Sequence, residues 1–556
     1  MNQLDFIVMI VFALLIFAIG LAFTRVGSKN AQAFFEAGGE TPWWINGLSL
    51  FISYFSAGTF VVWGSIAYKH GVVANMIQLT MAISGLLVAI FIAAKWKRTG
   101  TRTAAEYIGK RFGVKAQQFY TYLMIAFSLV NTAAVLYPVG KMVYVATPFS
   151  LNTCIIGIGV LIVLYTAAGG LWAVLVTDVV QFIILMAAVL IVIPASFSQI
   201  GGVHGFFQKA PEHFFEPFNK DYTAIFMLAF IGYQTFYIGG NWSYVQRYTS
   251  VSSEKNARKV AFLFTALYFI SPVIWMLPPM IYRTINPNLQ GLEPEGAYMM
   301  LCQQVLPAGL IGLVLSGMIS ATSSKANTTI NLAATVFAQD VYRSVFRPNA
   351  TEREQIFIAR VFTLLFGAGT IGLALLVPLA GGIVEVVLSV AAIAGGALFT
   401  PMIWSLYSKR QTATSVVTTT IVALTVSLFF KVIAPVLIGL KFNRTMETLV
   451  GVGLPLLVLA IFEYYYYSAG REAPEARQFS ALRPAESGRS ESTHLAAESQ
   501  NIFGITVIAI ASAVVGLGIF SLGMASEYNK VVMMVGSVIF VLAAIGLYRI
   551  RVSNAR

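Results

Sequence analysis

Residues 53–60 read SYFSAGTF, and residues 232–247 read GYQTFYIGGNWSYVQR. Both stretches lie inside runs that are otherwise apolar enough to cross a bilayer. Gly, Ser, Thr, Asn and Gln at mid-span expose backbone groups that hydrocarbon cannot satisfy, so such segments are tolerated where the chain is unwound against protein or lines a cavity. In one span, small residues would equally serve a close helix crossing. Two such spans, five apart, point to an inverted repeat of five plus five helices with a site at the bilayer midplane.

The rest of the chain agrees. Of 556 residues, 58% are hydrophobic and 11% charged, against roughly 45–50% and about 25% in a soluble domain. A spanning helix needs about 20 apolar residues, and fifteen candidates are centred near 14, 56, 84, 132, 160, 185, 235, 270, 322, 367, 395, 423, 457, 512 and 539. This is an all-α polytopic membrane protein. The first run, 6–23, has Asp5 before it and Arg25 and Lys29 after it, the reverse of a secretory signal, and is expected to be a retained helix with its N-terminus outside. Alternation then places the linkers 25–43, 95–117, 247–260, 341–360, 408–411 and 468–500 and the C-terminus inside. Most of the 36 Lys and Arg fall there, as the positive-inside rule requires. The net charge of +13 is thus an orientation signal and not a nucleic-acid footprint, since no basic stripe marks one folded face. With no organelle-targeting segment, a bacterial inner membrane is expected. Two cysteines and four loop-borne histidines argue against a disulfide framework, a metal centre or an enzyme. Residues 468–500, rich in Ala, Glu, Ser, Arg and Pro, read as disordered, and 101–117 as a short helix at the cytoplasmic interface.

Ionisable residues inside spans each need a reason, because a charge at a helix centre costs roughly 2.5–3.5 kcal/mol even on a lenient scale. Asp178, in GGLWAVLVTDVVQ, lies near the inner end of the sixth span and Glu385, in AGGIVE, near the outer end of the eleventh. Both positions also suit snorkelling or capping. Lys325, in SGMISATSSKANTTINLAATVFA, has span on both sides and is too deep to reach water unless a cavity comes to it. Ser320, Thr322, Ser323, Ser324, Asn327, Thr328, Thr329 and Asn331 give its helix a polar stripe. A structural ion pair and a role in coupling or gating are the two readings of this lysine.

At these residues the chain resembles the sodium:solute symporter family. The motifs are FFEAGGETPWW (34–44), GLSLFISYFSAGTF followed by IAYKHG, TAAEYIGKRFG, YTAAGGLWAVLVTDVVQ, NWSYVQR, and SSKANTTIN running to AQDVYRSVF, in the family's order over residues 1 to about 410. SYFSA and S-x-A-x-T-x-I-N look closest to the branch carrying iodide, monocarboxylates and vitamins. The resemblance implies a LeuT-type fold with one leading helix, a ten-helix core in two inverted repeats and about four trailing helices. The chain then divides into a leading helix and first cytoplasmic loop (1–43), a transport core (44–410), two additional helices (411–467), a disordered linker (468–500) and a C-terminal hairpin (501–556). It further implies sodium-driven solute uptake, with the principal sodium site made by the carbonyls of Ile52, Phe55 and Ala321 and by two consecutive hydroxyl residues, which align with Ser324 and Lys325.

That alignment is where the chain departs from the family. Sodium needs oxygen ligands, whereas a lysine offers three donors and no acceptor, so sodium and a protonated Lys325 exclude each other. A second sodium position of some members falls at Asp178, Asn327 and Thr328, but Asp178 could equally neutralise Lys325. The ion pair is favoured here, because a buried ammonium beside an unused carboxylate is costly for both. The expected function is secondary transport of a small organic solute by alternating access, independent of sodium, with the Lys325 ammonium replacing the ion and coupling to protons or to nothing. Conventional sodium symport and a membrane solute sensor are the alternatives. No cofactor and no metal at the principal site are expected; the partners are the solute and membrane lipid. The solute cavity is expected among Tyr54, Ser56, Gly58, Thr59, Gln78, Asn241, Tyr244, Tyr268 and Glu385. These suit a compact, partly apolar solute better than a sugar, and no motif names it.

Overall fold

The computed structural model describes residues 1–27, 41–101, 103–165, 171–338, 342, 346–347, 349, 351–474, 476, 491–524 and 529–554. Among them there is no strand. Each of the fifteen expected spans carries a helix. The first is α1 (Gln3–Gly27). The second is split into α2 (Trp43–Tyr54) and α3 (Gly64–His70), joined by residues 55–58 and a π-turn at Thr59–Trp63, and its two halves are bent by 51°. The third begins as α4 (Val73–Leu87) and the amphipathic linker forms α5 (Ala104–Phe112). The fourth to sixth spans are α6 (Val114–Ala146), α7 (Leu151–Tyr165) and α8 (Leu171–Ile200).

The seventh span is also interrupted, into α9 (Ala224–Gly240) and α10 (Trp242–Thr249). After it come α11 (Glu254–Ile285), α12 (Leu310–Val336) and α13 (Glu352–Leu376). The eleventh span is α14 (Ile383–Val390), a π-turn at Ala391–Gly395 and α15 (Gly396–Ser405). The trailing helices are α16 (Ala413–Leu428), α17 (Arg444–Ser468), α18 (Glu491–Met524) and α19 (Asn529–Asn554). Among the described residues, ten helices are long and apolar enough to cross a membrane, the bent pair makes an eleventh, and the other four spans show apolar helices of 10–17 residues. The chain is an integral membrane protein.

Burial places the core around the sixth span. In Leu175–Ile200, 72% of the apolar window is buried, against 17% in Lys530–Val552. α8 packs on α1, α2, α11, α12 and α18, so the helix bearing Asp178 is surrounded by the broken second span and by the helix bearing Lys325. α5 is amphipathic as expected: Thr103 caps it by accepting from the Glu106 N–H at 3.1 Å, and Tyr107, Ile108 and Phe112 are buried. One expectation changes. α18 starts at Glu491, inside the stretch read as disordered, because ESTHLAAESQ contains good helix formers that extend the following span by propagation. Residues 475 and 477–490 of that stretch lie outside the described residues, as do 34–40 of the first motif.

Asp5 has a structural task that its position before an apolar run did not disclose. It is 1% exposed, and its Oδ1 accepts from the Gly309 N–H at 2.8 Å and the Gly312 N–H at 3.1 Å. It therefore caps α12, where orphan N–H groups and the helix dipole favour a carboxylate. Asp5→Ala should destabilise the protein by about 1.5–3 kcal/mol, the range for a hydrogen bond to a charged group. Thermal unfolding in detergent would measure it, and an unchanged melting curve would show that α12 does not depend on the leading helix.

Candidate functional site

Both interruptions are held open by side chains drawn from the polar stretches themselves. α2 ends at Phe55, whose backbone is extended (φ −89°, ψ 125°). Ser56 Oγ accepts from the Gly58 N–H at 3.2 Å, and Thr59 Oγ1 accepts from the Ser56 N–H at 3.3 Å. These hydroxyls satisfy donors that an unbroken helix would have paired. At the second break Asn241 is extended (φ −62°, ψ 128°) and its Oδ1 accepts from the Ser243 N–H at 3.0 Å, capping α10. Gly240 is needed just before it: a Cβ there would stand 2.9 Å from the Phe399 Cβ of α15.

Two cavities meet at these breaks. One is lined by Ile52, Ser53, Asp178, Asn241, Ser243, Arg247, Ala321 and Thr329, among others. The other is lined by Tyr54, Ser56, Gly58, Thr59, Val62, Trp63, Met81, Tyr233, Gln234, Val387 and Val390, among others. Phe127, Asn131, Tyr237, Tyr244 and Lys325 line both. Lys325 thus stands between a chamber walled by the carbonyl-bearing positions and one walled by tyrosines and aliphatic residues. The cavities come to the lysine, which is how a charge so deep in a span reaches a polar environment.

The ionic arrangement differs from the expected pair. Asp178 Oδ2 accepts from Ser49 Oγ at 2.6 Å, and Arg247 Nε and Nη2 donate to that same Ser49 oxygen at 3.4 and 3.3 Å. Arg247 Nη1 also donates to the Ser243 carbonyl at 2.7 Å. Asp178, Ser49 and Arg247 are all buried. The cation beside Asp178 is therefore Arg247, brought there because α10 restarts after Asn241 and turns its first two turns onto α2. A guanidinium suits this place, since its planar fork serves several acceptors at once. Lys325 makes no ion pair within 4.0 Å among the described residues, although it lines the first cavity with Asp178. Its carbonyl accepts from Thr329 Oγ1 at 3.0 Å.

The other expected residues separate into groups. Tyr54, Ser56, Gly58, Thr59 and Tyr244 line the second cavity, and Asn241 and Tyr244 the first. Ile52 and Ala321 line the first cavity beside Lys325, whereas the Phe55 ring is buried against Trp275, with centroids 3.7 Å apart. Tyr268 lines neither; it is buried in an aromatic cluster with Tyr54, Phe51 and Phe264. Gln78 is fully buried on α4, and among the described residues neither of its amide atoms has a hydrogen-bond partner. Glu385 stands away from both cavities in an ion-pair cluster, 2.9 Å from Lys431 and 3.4 Å from Arg444, which ties α14 to the trailing helices. The side chains of Ser324, Asn327 and Thr328 lie outside the described residues. Sequence reading missed Arg247, Asn131, Tyr237 and Gln234. Arg247, Gln234 and Tyr237 lie within the quoted second stretch, but Arg247 also opens the basic linker 247–260. Tyr54 Oη donates to Gln234 Oε1 at 2.9 Å, joining the two broken spans directly.

A helical membrane protein whose two interrupted spans border internal cavities is built as a solute transporter. The chain belongs to the sodium:solute symporter family, which matches residues 34–423. It is 24% identical over 468 residues to a sodium/glucose cotransporter of Vibrio parahaemolyticus, covering 78% of this chain and 86% of that protein. It is 26% identical over 401 residues to sodium/myo-inositol cotransporter 2 of Homo sapiens, covering 65% and 59% respectively, so it spans little more than half of that relative's length. These relatives are cotransporters, not enzymes. The fold is similar to that of a substrate-bound, outward-open Na+-coupled sialic acid symporter, with a TM-score of 0.71 at 21% identity over 85% of this chain and 99% of the other. Mhp1, a nucleobase-cation-symport-1 family transporter in a closed conformation, gives 0.52 at 14% identity over 82% and 99%.

Proposed function

We propose that this protein moves a small organic solute by alternating access, independently of sodium, with the Lys325 ammonium standing in for the ion. The observation that supports this most is the position of Lys325 in the same cavity as Ile52 and Ala321, the residues whose carbonyls the family resemblance assigns to sodium. A tethered cation there competes with a free one, since the lysine brings charge but no ligand oxygen. An amine in a cavity can also hold or release its proton as the surroundings change. Release in one conformation makes the carrier proton-coupled; a permanent ammonium makes it a uniporter or exchanger. Residues 44–410 form the transport core in this reading, with the N-terminus outside, the C-terminus cytoplasmic and a bacterial plasma membrane as location.

A second reading is ordinary sodium symport, favoured by the names of the relatives and by the TM-score of 0.71 to a Na+-coupled symporter. Uptake into proteoliposomes separates the two. A mixed pool of labelled metabolites is offered under an imposed sodium gradient and, separately, under an imposed proton gradient. Accumulation with protons, or equilibration under both, is the expected result; accumulation driven by sodium alone would replace this proposal with the second reading.

A further inference from the structure

We infer that the solute carries a carboxylate, held by the Lys325 ammonium, on a compact body with apolar surface. This rests on the proposed transport of a small organic solute, takes the second cavity, lined by Tyr54, Ser56, Gly58 and Thr59, as its site, and adds the charge class. Among the described residues lining that cavity, Lys325 is the one charged side chain. The acid available nearby, Asp178, is hydrogen-bonded to Ser49 and has the Arg247 guanidinium beside it. Among the described residues lining the two cavities, the charged ones are thus two cations, Lys325 and Arg247, and one anion, Asp178.

A surplus positive charge between low-dielectric walls is costly without a counter-ion. No described acid pairs with Lys325 within 4.0 Å, so while the amine is protonated a mobile anion offsets this cost. A cationic solute is repelled, and a neutral polyol leaves the ammonium without a charge partner. Asn131, which lines both cavities with Lys325, adds amide N–H donors that suit carboxylate oxygens. On the far wall Trp63, Met81, Val387 and Val390 supply apolar contact for the rest of the molecule, the pattern of a few polar groups on an apolar pocket.

The test compares charged and neutral members of isosteric pairs, benzoate with benzamide and isovalerate with isovaleramide. Their binding to the purified full-length protein is followed by tryptophan fluorescence, without sodium and then with it. The carboxylate of each pair should bind at least about tenfold more tightly, equivalent to about 1.4 kcal/mol. Lys325→Gln should bring the ratio close to one, and Lys325→Arg should keep it. Amides binding as tightly as carboxylates, a preference that persists in Lys325→Gln, or no saturable response to either carboxylate would each overturn the inference. Because no gradient is involved, the result is separable from the coupling proposal: sodium-driven uptake refutes that proposal and leaves the charge preference standing, whereas equal binding of amides does the reverse.

Discussion

Lys325→Thr should abolish proton-driven accumulation or convert it to sodium-driven accumulation. Threonine follows Ser324 in this variant, restoring two consecutive hydroxyl residues on α12, and it removes the charge that excludes a free cation. The cavity with Ile52 and Ala321 then offers hard oxygen ligands where the ammonium stood. The size of the effect follows from coupling arithmetic. With one proton moved per neutral unit of transport, a pH difference of one unit sustains about tenfold accumulation, since one unit is about 1.36 kcal/mol. In the variant this should fall to equilibration, and an imposed sodium gradient should restore concentration above the external level or leave the carrier passive. Parallel uptake assays on wild type and variant under both gradients measure it. If the two proteins share one ion profile, Lys325 has no part in coupling.

Arg247→Met should destabilise the protein by about 1.5–3 kcal/mol, the range for hydrogen bonds to a charged group, since Arg247 reaches Asp178 through Ser49. Arg247 and Asp178 are each 3% exposed, and Ser49 between them is fully buried. Methionine keeps much of the apolar stem volume but leaves the Asp178 carboxylate without its neighbouring cation and the Ser243 carbonyl without the 2.7 Å donor. The break at Asn241 should then lose its anchor to α2, and transport should fall with stability. Asp178→Asn combined with Arg247→Met removes both charges and should recover a large part of the loss, as residues within one network show non-additive effects. Thermal unfolding of the two single variants and the double variant closes the cycle. Strict additivity would mean that Arg247 and Asp178 act independently.

The two polar stretches were the most legible feature of this chain. Gly, Ser, Thr and Asn at mid-span violate hydrophobic continuity, and the interruptions fall inside them, at 55–58 and at Asn241. Lys325 was legible for the same reason. What the one-dimensional pattern concealed was partnership. Asp178 and Lys325 read as a pair because they are two of the few charges within spans, whereas Arg247 looked like part of a cytoplasmic loop. Glu385 read as cavity-facing, but its partners Lys431 and Arg444 come from trailing helices whose placement no local pattern records. Tyr268 and Gln78 carry polar atoms on cavity-forming spans, yet the faces they occupy are buried against other helices.

Sequence alone determined that the chain spans a membrane, where its helices break, and that one lysine lies too deep to be a surface charge. These follow from the cost of leaving backbone or charge unsatisfied in hydrocarbon, which acts residue by residue along the chain. The tertiary structure decided that Ser49 joins Asp178 to Arg247, which tyrosines line the second cavity, and that Lys325 borders both cavities. Those depend on the rotation and crossing of helices distant in sequence. They are set by packing such as Gly240 on Phe399 and by Ser49 between Asp178 and Arg247, contacts that exist only once all the partners are assembled.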